Sequence, residues 1–537
     1  MSGAVSRPPL TFRRTPPRAT PQITATPDVQ AAPPAAAGRS GDGKRATHAL
    51  RNVTAQQVAS SGLFILAGLF LLSLLVPHRF YIGGLMFQPY KFWLTILFVP
   101  LLIMFFMGKA GRPMLVDWLM IGTTLWMLLS TARNHGVGYA VVTGGSYVVE
   151  FLGAYLLARI AIRSAADFRR MVVVLFIVLL VLLPFAVLEA FSGRPVLAQW
   201  IGADWIIKWI GERMGMRRTQ TAFEHPILFG AFVSTMFGLF WYALIPNATL
   251  IARLFLASLA GIATIFSLST GAFLAVQVQI LLIFWELITR PHPQRWRIFG
   301  WLVVIGYFAL DQITTRTPFH TLVNYAAFSS HSAYMRIIVY EHGMAIVRAN
   351  RLFGIGFHDW PRPFWVSGSV DNFWLLTAMR HGIPALAMFA AAIALIILRA
   401  GRQPMIDPLD RACRAAFLTA LGGVIIAGGT VHYWRALLVF VVFIIGSGVW
   451  TFTGGARSLA GSGQENSPNE SDPFLPQRLQ PCADDEGMRN QPHAEDDLRP
   501  GKPRGGAGEG RHRRCGPAPL ESGGKRPNWS RPISTKR

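Results

Sequence analysis

Charged side chains are scarce in this sequence: Asp, Glu, Lys and Arg make up 15% of its 537 residues, where a soluble domain carries about 25%. So few cannot cover the surface of a soluble protein of this length. Acids are scarcer than bases, 27 against 51, which gives a net charge of +24 and a pI near 11. A balance of that kind can mark a nucleic-acid binder. The distribution excludes that class, because much of the basic excess sits in short connections between apolar segments, the pattern of membrane orientation. Cysteine is almost missing. Cys413, Cys482 and Cys515 form no disulfide framework, CxxC pair or zinc spacing. No GxxxxGK[ST], GxGxxG or HExxH motif occurs, so ATP-driven transport and zinc proteolysis lose support, and neither metal nor cofactor is expected. No repeat of the first half is evident in the second, which weakens a transporter built on inverted repeats.

What the chain has is apolar length. Hydrophobic residues make up 52% and mean hydropathy is +0.37. They crowd between residues 59 and 453. Runs near the roughly 20-residue length of a membrane span recur there, at 60–77, 91–108, 113–131, 139–160, 171–191, 226–246, 251–268, 271–289, 298–314, 382–399, 413–432 and 435–453. The fold class expected is therefore all-α: a polytopic transmembrane bundle of about 12 helices. Residues 1–58 are rich in Pro, Ala, Thr and Arg, with only Asp28 and Asp42 as acids. Residues 454–537 are rich in Gly, Pro and charge. Neither segment can bury a core, and both read as disordered tails. Lys109, Arg112, Arg163, Arg169, Arg170, Arg253, Arg290, Arg295, Arg297, Arg399, Arg402, Arg411 and Arg414 fall in loops of one parity. Together with the basic N-terminus they place both termini in the cytoplasm.

Two loops on the far side oppose that trend. One, at 192–225, carries Arg194, Lys208, Arg213, Arg217 and Arg218; the other, at 315–381, carries Arg316, Arg336, Arg348, Arg351, Arg362 and Arg380. An anionic ligand is one explanation, and the indifference of long loops to charge is another. The first loop ends in RRTQTAFEHPILFGAF from Arg217. Pro226 marks a helix start and puts Glu224 and His225 at the membrane boundary, with Arg217 and Arg218 just outside. Guanidinium groups suit bidentate contact with phosphate oxygens; contact with ordinary lipid headgroups is the bland alternative. In the second loop a helical pattern surrounds Arg336, with Met335, Ile338, Val339 and Ile346 on one face. GIGF at 354–357 then breaks it, where Gly354 and Gly356 allow unusual backbone angles or close approach to a ligand. Trp360, Phe364 and Trp365 follow as sugar platforms or as interfacial aromatics. Asp371 and Asn372 precede a run entering the membrane, and an Asp near arginines serves as general base or merely pairs with them. Asp117, Glu150, Glu189, Glu286 and Asp311 are ionisable groups within or near apolar runs.

Four blocks in this order, RTQTAFEHPILFGAF, SLSTGAFLA, SAYMRIIVYEHGMAIVRANRLFGIG and DNFWLLTAMRHGIPAL, resemble the O-antigen ligase and O-antigen polymerase superfamily of bacterial envelope glycan enzymes. The resemblance covers residues 60–453 and is sharpest from about 215 to 390. It implies an inverting, metal-independent glycosyl transfer at the periplasmic face of the inner membrane, within a large periplasmic loop containing short helices. The implied donor is a glycan on undecaprenyl pyrophosphate. The implied acceptor is lipid A–core or a second lipid-linked glycan, with membrane lipids as surroundings and no nucleic acid. By the same resemblance, Arg336 with Arg217 or Arg218 binds the pyrophosphate, and Asp371 stands where ligases have His, the base for the acceptor hydroxyl. That departure leans toward a polymerase of O-antigen or exopolysaccharide. His358, His381 or Glu341 are alternative bases; Glu224, His225, Asn372 and His358 belong, with Arg217 and Arg218, to the substrate-binding set. SLSTG lacks the arginine often found beside the family glycine, and Arg380 stands where an acid is frequent before the Gly-Ile pair. Two other classes remain open: a transporter or flippase of lipid-linked or anionic solutes, and a scaffold acting through its tails.

Overall fold

The computed structural model of the protein describes residues 62–207, 212–314 and 330–452. Both expected tails, Lys208, and Arg316 with the rest of 315–329, lie outside the described residues. Thirteen helices account for most of the remainder: α1 (Gly62–Ser73), α2 (Pro89–Phe106), α3 (Leu115–His135), α4 (Val137–Ala161), α5 (Ala165–Ser192), α6 (Pro226–Leu244), α7 (Leu250–Ser267), α8 (Thr270–Ile288), α9 (Arg295–Ile313), α10 (Ser330–Ala349), α11 (Phe373–Arg402), α12 (Pro408–Gly428) and α13 (Ala436–Phe452). Among the described residues nine of them are long and apolar enough to cross a membrane: α2 to α8, α11 and α12. The chain is a multi-pass helical membrane protein.

The helices start where their caps dictate. Ser164 accepts from the Asp167 amide, Thr249 from Ala252, Asn372 from Leu375 and Asp407 from Leu409, each satisfying one of the amides that a helix start leaves open. Pro226 and Pro408 occupy first-turn positions, where a missing N–H costs nothing. At the centre stand α6, α13 and the latter half of α4 from Glu150, whose residues are buried almost all round, as expected of helices enclosed by others. Gly446 lets α13 press on α4: a Cβ there would meet the Tyr155 carbonyl oxygen at 2.7 Å. At the periphery, α9 buries no residue.

Two local features depart from the sequence reading. A hairpin of Phe80–Ile82 and Leu85–Phe87 lies between α1 and α2, paired Ile82 to Leu85. Its loop is Gly83-Gly84, both at positive φ (57° and 79°), as a two-residue turn of this hand requires. The second departure is larger. The apolar run expected at 382–399 is the latter part of a helix that begins at Phe373. Gly382 breaks it, with φ 79° and ψ 173°, and Pro384 follows.

That break leaves carbonyls without helical partners, and the GIGF segment supplies them. Ile355 N donates to Met379 O at 2.8 Å, Gly356 N to Arg380 O at 2.9 Å, and Ile383 N donates back to Arg351 O at 2.7 Å. Trp126 Nε1 reaches His381 O at 3.1 Å from α3. Gly354 is needed because a Cβ would fall 2.6 Å from the Arg380 carbonyl oxygen. The close approach that Gly354 permits is thus to another stretch of backbone. The face anticipated on the helix around Arg336 is present: Ile338, Val339 and Ile346 of α10 pack with Val366, Val370, Leu375 and Met379. This satellite core fixes α10 over the start of α11.

Candidate functional site

Loop contacts gather the ends of several helices at one end of the bundle. Trp205 Nε1 donates to Pro77 O at 2.6 Å, His135 Nε2 accepts from Phe357 N at 2.7 Å, and Arg217 Nη1 donates to Gly193 O at 3.1 Å. Within this end the segment after α5 is sewn to the C-terminus of α7. Arg213 and Met216 close a tight turn through reciprocal backbone bonds of 3.0 and 3.1 Å, Arg213 Nη1 donates to Leu268 O at 3.0 Å, and Thr219 N donates to Phe266 O at 3.0 Å. Glu189 of α5 anchors the same strand from beneath, accepting from Thr221 N at 2.9 Å.

The paired arginines at 217 and 218 part company here. Arg217 turns to Glu189, with Nε 3.7 Å from Oε1. Arg218 turns the other way and is buried, its Nε 3.5 Å from Ser267 O. Its charge lies within the field of Arg213 and of Asp371. Arg336, from α10, feels the same two groups. Arg218 and Arg336, from two segments, therefore both lie in the field of the Asp371 carboxylate and of a third arginine, Arg213. None of the three closes an ion pair with a described carboxylate, and Arg336 Nη1 is buried with no hydrogen-bond partner among the described residues. Burial first, then Arg213, pushes the Arg218 guanidinium down to about 10, partly offset by Asp371; it remains a cation at neutral pH. Burial also lowers Arg336, with Asp371 opposing.

Asp371 is half-buried and accepts from Ser369 Oγ at 3.1 Å. It immediately precedes Asn372, whose Oδ1 caps α11 through Leu375 N at 3.0 Å. A helix N-terminus favours a negative charge beside it. Four side chains of the sequence-derived set have other partners. Glu224 pairs with Arg435 Nη1 at 2.5 Å, and His225 Nδ1 caps α6 by accepting from Ile227 N at 3.2 Å. His358 is exposed, stacks on His135 at 4.1 Å and meets Asn134 O at 3.2 Å. Asn372 is the cap just described. Of the alternative bases, Glu341 is exposed on α10 and His381 is buried beneath the α11 break, its Nδ1 without a hydrogen-bond partner among the described residues. Trp360 is buried, donating to Gly368 O at 3.0 Å, under the Arg362 guanidinium; Phe364 and Trp365 are exposed.

Beside Asp371 opens a feature the sequence reading missed. A cavity of about 560 Å³ is lined by residues of the hairpin, α2, α4, α11 and the turn before α13, among them Lys91, Tyr147, Glu150, Arg380, His432 and Arg435. Ser369, the residue that donates to Asp371, forms part of its wall. These residues lie far apart in sequence, and no local motif joins them. The one available signal was Arg380, a basic residue in the first turns of an apolar helix.

No known protein-family model matches the chain, and no curated protein matches it.

Proposed function

We propose that the protein is a membrane glycosyltransferase that polymerises or ligates envelope polysaccharide from a glycan carried on undecaprenyl pyrophosphate. The observation that supports it is that Arg218 and Arg336 both lie in the field of a third cation, Arg213, and of one carboxylate, Asp371, and close no ion pair with it. Bringing like charges together in a half-buried place is unfavourable unless an anion joins them. A pyrophosphate has the charge and the oxygen geometry that guanidinium groups bind best. Apolar helices surround the site, as a polyprenyl tail would need.

In the proposed reaction the acceptor hydroxyl oxygen attacks the anomeric carbon of the donor sugar from the face opposite the phosphate. The C–O bond to pyrophosphate breaks, and the electron pair leaves with the lipid pyrophosphate. Asp371 takes the hydroxyl proton, and the configuration inverts. The arginines stabilise the charge that grows on the leaving oxygen; removing one donor to such a charge typically costs about 100- to 1,000-fold in rate. Arg217, Glu224, His225 and Asn372 frame the site by holding its loops. The loop end faces the periplasm of a bacterial inner membrane in this reading, with the termini in the cytoplasm. Asp371 in place of a histidine favours a polymerase, which lengthens a lipid-linked glycan, over a ligase that transfers to lipid A–core.

Full-length protein in bilayers, supplied with an undecaprenyl-pyrophosphate-linked oligosaccharide, tests this. Longer or transferred glycan, detected by mass spectrometry and lost in Arg336→Ala, is the expected result. Passage of intact donor across the bilayer without chemical change would instead make the protein a transporter.

A further inference from the structure

The cavity beside Asp371 has a composition of its own. Three cations line it, Lys91, Arg380 and Arg435, against one acid, Glu150. Two of the three are already answered: Lys91 Nζ lies 3.7 Å from Glu150 Oε1, which also accepts from Ser146 Oγ at 3.2 Å, and Arg435 Nη1 lies 2.5 Å from Glu224 Oε1. Arg380 is not. Among the described residues it pairs with no carboxylate; its guanidinium meets the Tyr147 hydroxyl and stands 5.1 Å from the centre of the Phe357 ring. His381 and His432, which lie in its field, carry no compensating negative charge in either protonation state. The cavity therefore holds one uncompensated cation, on a wall made of Tyr147, Phe357 and Trp434 with the hydroxyls of Thr143 and Ser146. Aromatic faces with a few convergent polar groups are the common make-up of small-molecule sites, and the volume lies within their usual range of about 300–1,000 Å³.

We infer that this cavity is the saccharide acceptor subsite and that Arg380 selects a sugar bearing a carboxylate, a uronic acid or its like. The inference rests on the glycosyl-transfer reading, since it takes its direction from Asp371. The planar guanidinium matches a carboxylate in a paired, two-bond contact. The hydroxyls and aromatic faces hold the rest of the ring. Ser369 belongs both to the cavity wall and to the hydrogen bond on Asp371, so a sugar seated against Arg380 presents its far hydroxyls toward the base. A neutral sugar leaves the guanidinium without a partner, and specificity then arises from an unmet polar group as much as from a met one.

The test uses the full chain in lipid nanodiscs and two probes: a tetrasaccharide containing one glucuronic acid, and the same tetrasaccharide with that carboxyl reduced to the alcohol. Binding of each is measured alongside binding of undecaprenyl pyrophosphate. The acidic probe should bind at least about tenfold more tightly than the reduced one. Arg380→Gln should erase that difference while leaving undecaprenyl pyrophosphate binding intact, and Arg380→Lys should retain part of it. Arg336→Ala should do the reverse, losing the lipid pyrophosphate and keeping the preference for the acidic probe. Equal binding of the two tetrasaccharides, or a preference that survives Arg380→Gln, overturns the subsite. Undiminished undecaprenyl pyrophosphate binding in Arg336→Ala, with the acid preference intact, leaves an acidic-sugar site at Arg380 standing but removes the transfer reading, and with it that site's role as an acceptor subsite.

Discussion

The two ends of this bundle differ in how some of their arginines are answered. At the end away from the loop cluster, arginines are answered by nearby acceptors. Arg159 is buried against Asp117 at 3.2 Å and donates to Ala110 O at 2.6 Å, and Asp117 also receives the Tyr155 hydroxyl at 2.6 Å. Arg169 reaches Leu244 O at 3.3 Å, Arg253 reaches Pro246 O at 2.6 Å, and Arg414 reaches Gln403 O at 2.5 Å. Arg295 lies 3.8 Å from Glu286, whose other oxygen takes the Tyr242 hydroxyl. These side chains close helix ends and tie loops down. At the loop end Arg217, Arg362 and Arg435 are paired with Glu189, Asp359 and Glu224, but Arg218 and Arg336 lie in the field of Asp371 without an ion pair, and Arg380 has no acid at all among the described residues. The same residue type is structural where its charge is matched locally. Where it is left over, something from outside the chain is needed to match it.

Four experiments sharpen or break that contrast. The largest effect is expected at the under-matched end: Arg218→Ala or Arg336→Ala should lower glycan transfer by about 100- to 1,000-fold with little change in melting temperature. A full-rate variant would erase the distinction between the ends. Next is the matched end. Asp117→Asn leaves the Arg159 charge buried and unanswered, and stability should fall by about 3–5 kcal/mol, read as the thermal unfolding midpoint in detergent, while turnover per folded molecule is unchanged. Loss of turnover with stability intact would put function at the wrong end.

A smaller effect follows from the cavity wall. Burial, and then the charge of Arg380, push the His432 imidazole down to about 3. The folded protein keeps it neutral, whereas an unfolded chain takes up a proton there below about pH 6.5. Its share of stability is therefore present above that pH and is lost as pH falls from about 6.5 toward 3, by at most about 1.4 kcal/mol per pH unit. His432→Gln should flatten the pH dependence of stability in that window, and an unchanged slope would show that the imidazole is not held neutral. The smallest effect belongs to exposed basic residues. Arg402 is exposed at the end of α11, and Arg402→Gln should change stability by under about 0.5 kcal/mol.

The sequence carried the helices well because apolar length is a local property. Each of the twelve apolar runs coincides with a helix, although two of those helices are short and α9 falls outside the nine that meet both length and composition. Boundaries failed where the cause was distant. The start of α11 at Phe373 depends on the cap from Asn372, and its break at Gly382 depends on backbone donors at 355 and 356, so hydropathy alone restarts the run at the break. For the site, Arg218, Arg336 and Asp371 were legible as residue types in suspicious places. That Arg217 would leave them for Glu189 was not, because that pairing joins positions 28 residues apart through tertiary structure. The cavity was invisible for the same reason: its cations come from α2, α11 and the turn before α13.

The break in α11 also bears on how the chain is made. A helix interrupted in an apolar setting exposes carbonyls that lipid cannot satisfy. Their donors, Ile355 and Gly356, precede the break in the chain and leave the ribosome first, as does Trp126 far upstream. The order of synthesis thus puts the partners in place before the groups that need them. Moving α11 ahead of these donors, as in a circular permutant opened between Phe357 and Asp371, would reverse that order and strand the carbonyls of Met379 and Arg380 during insertion.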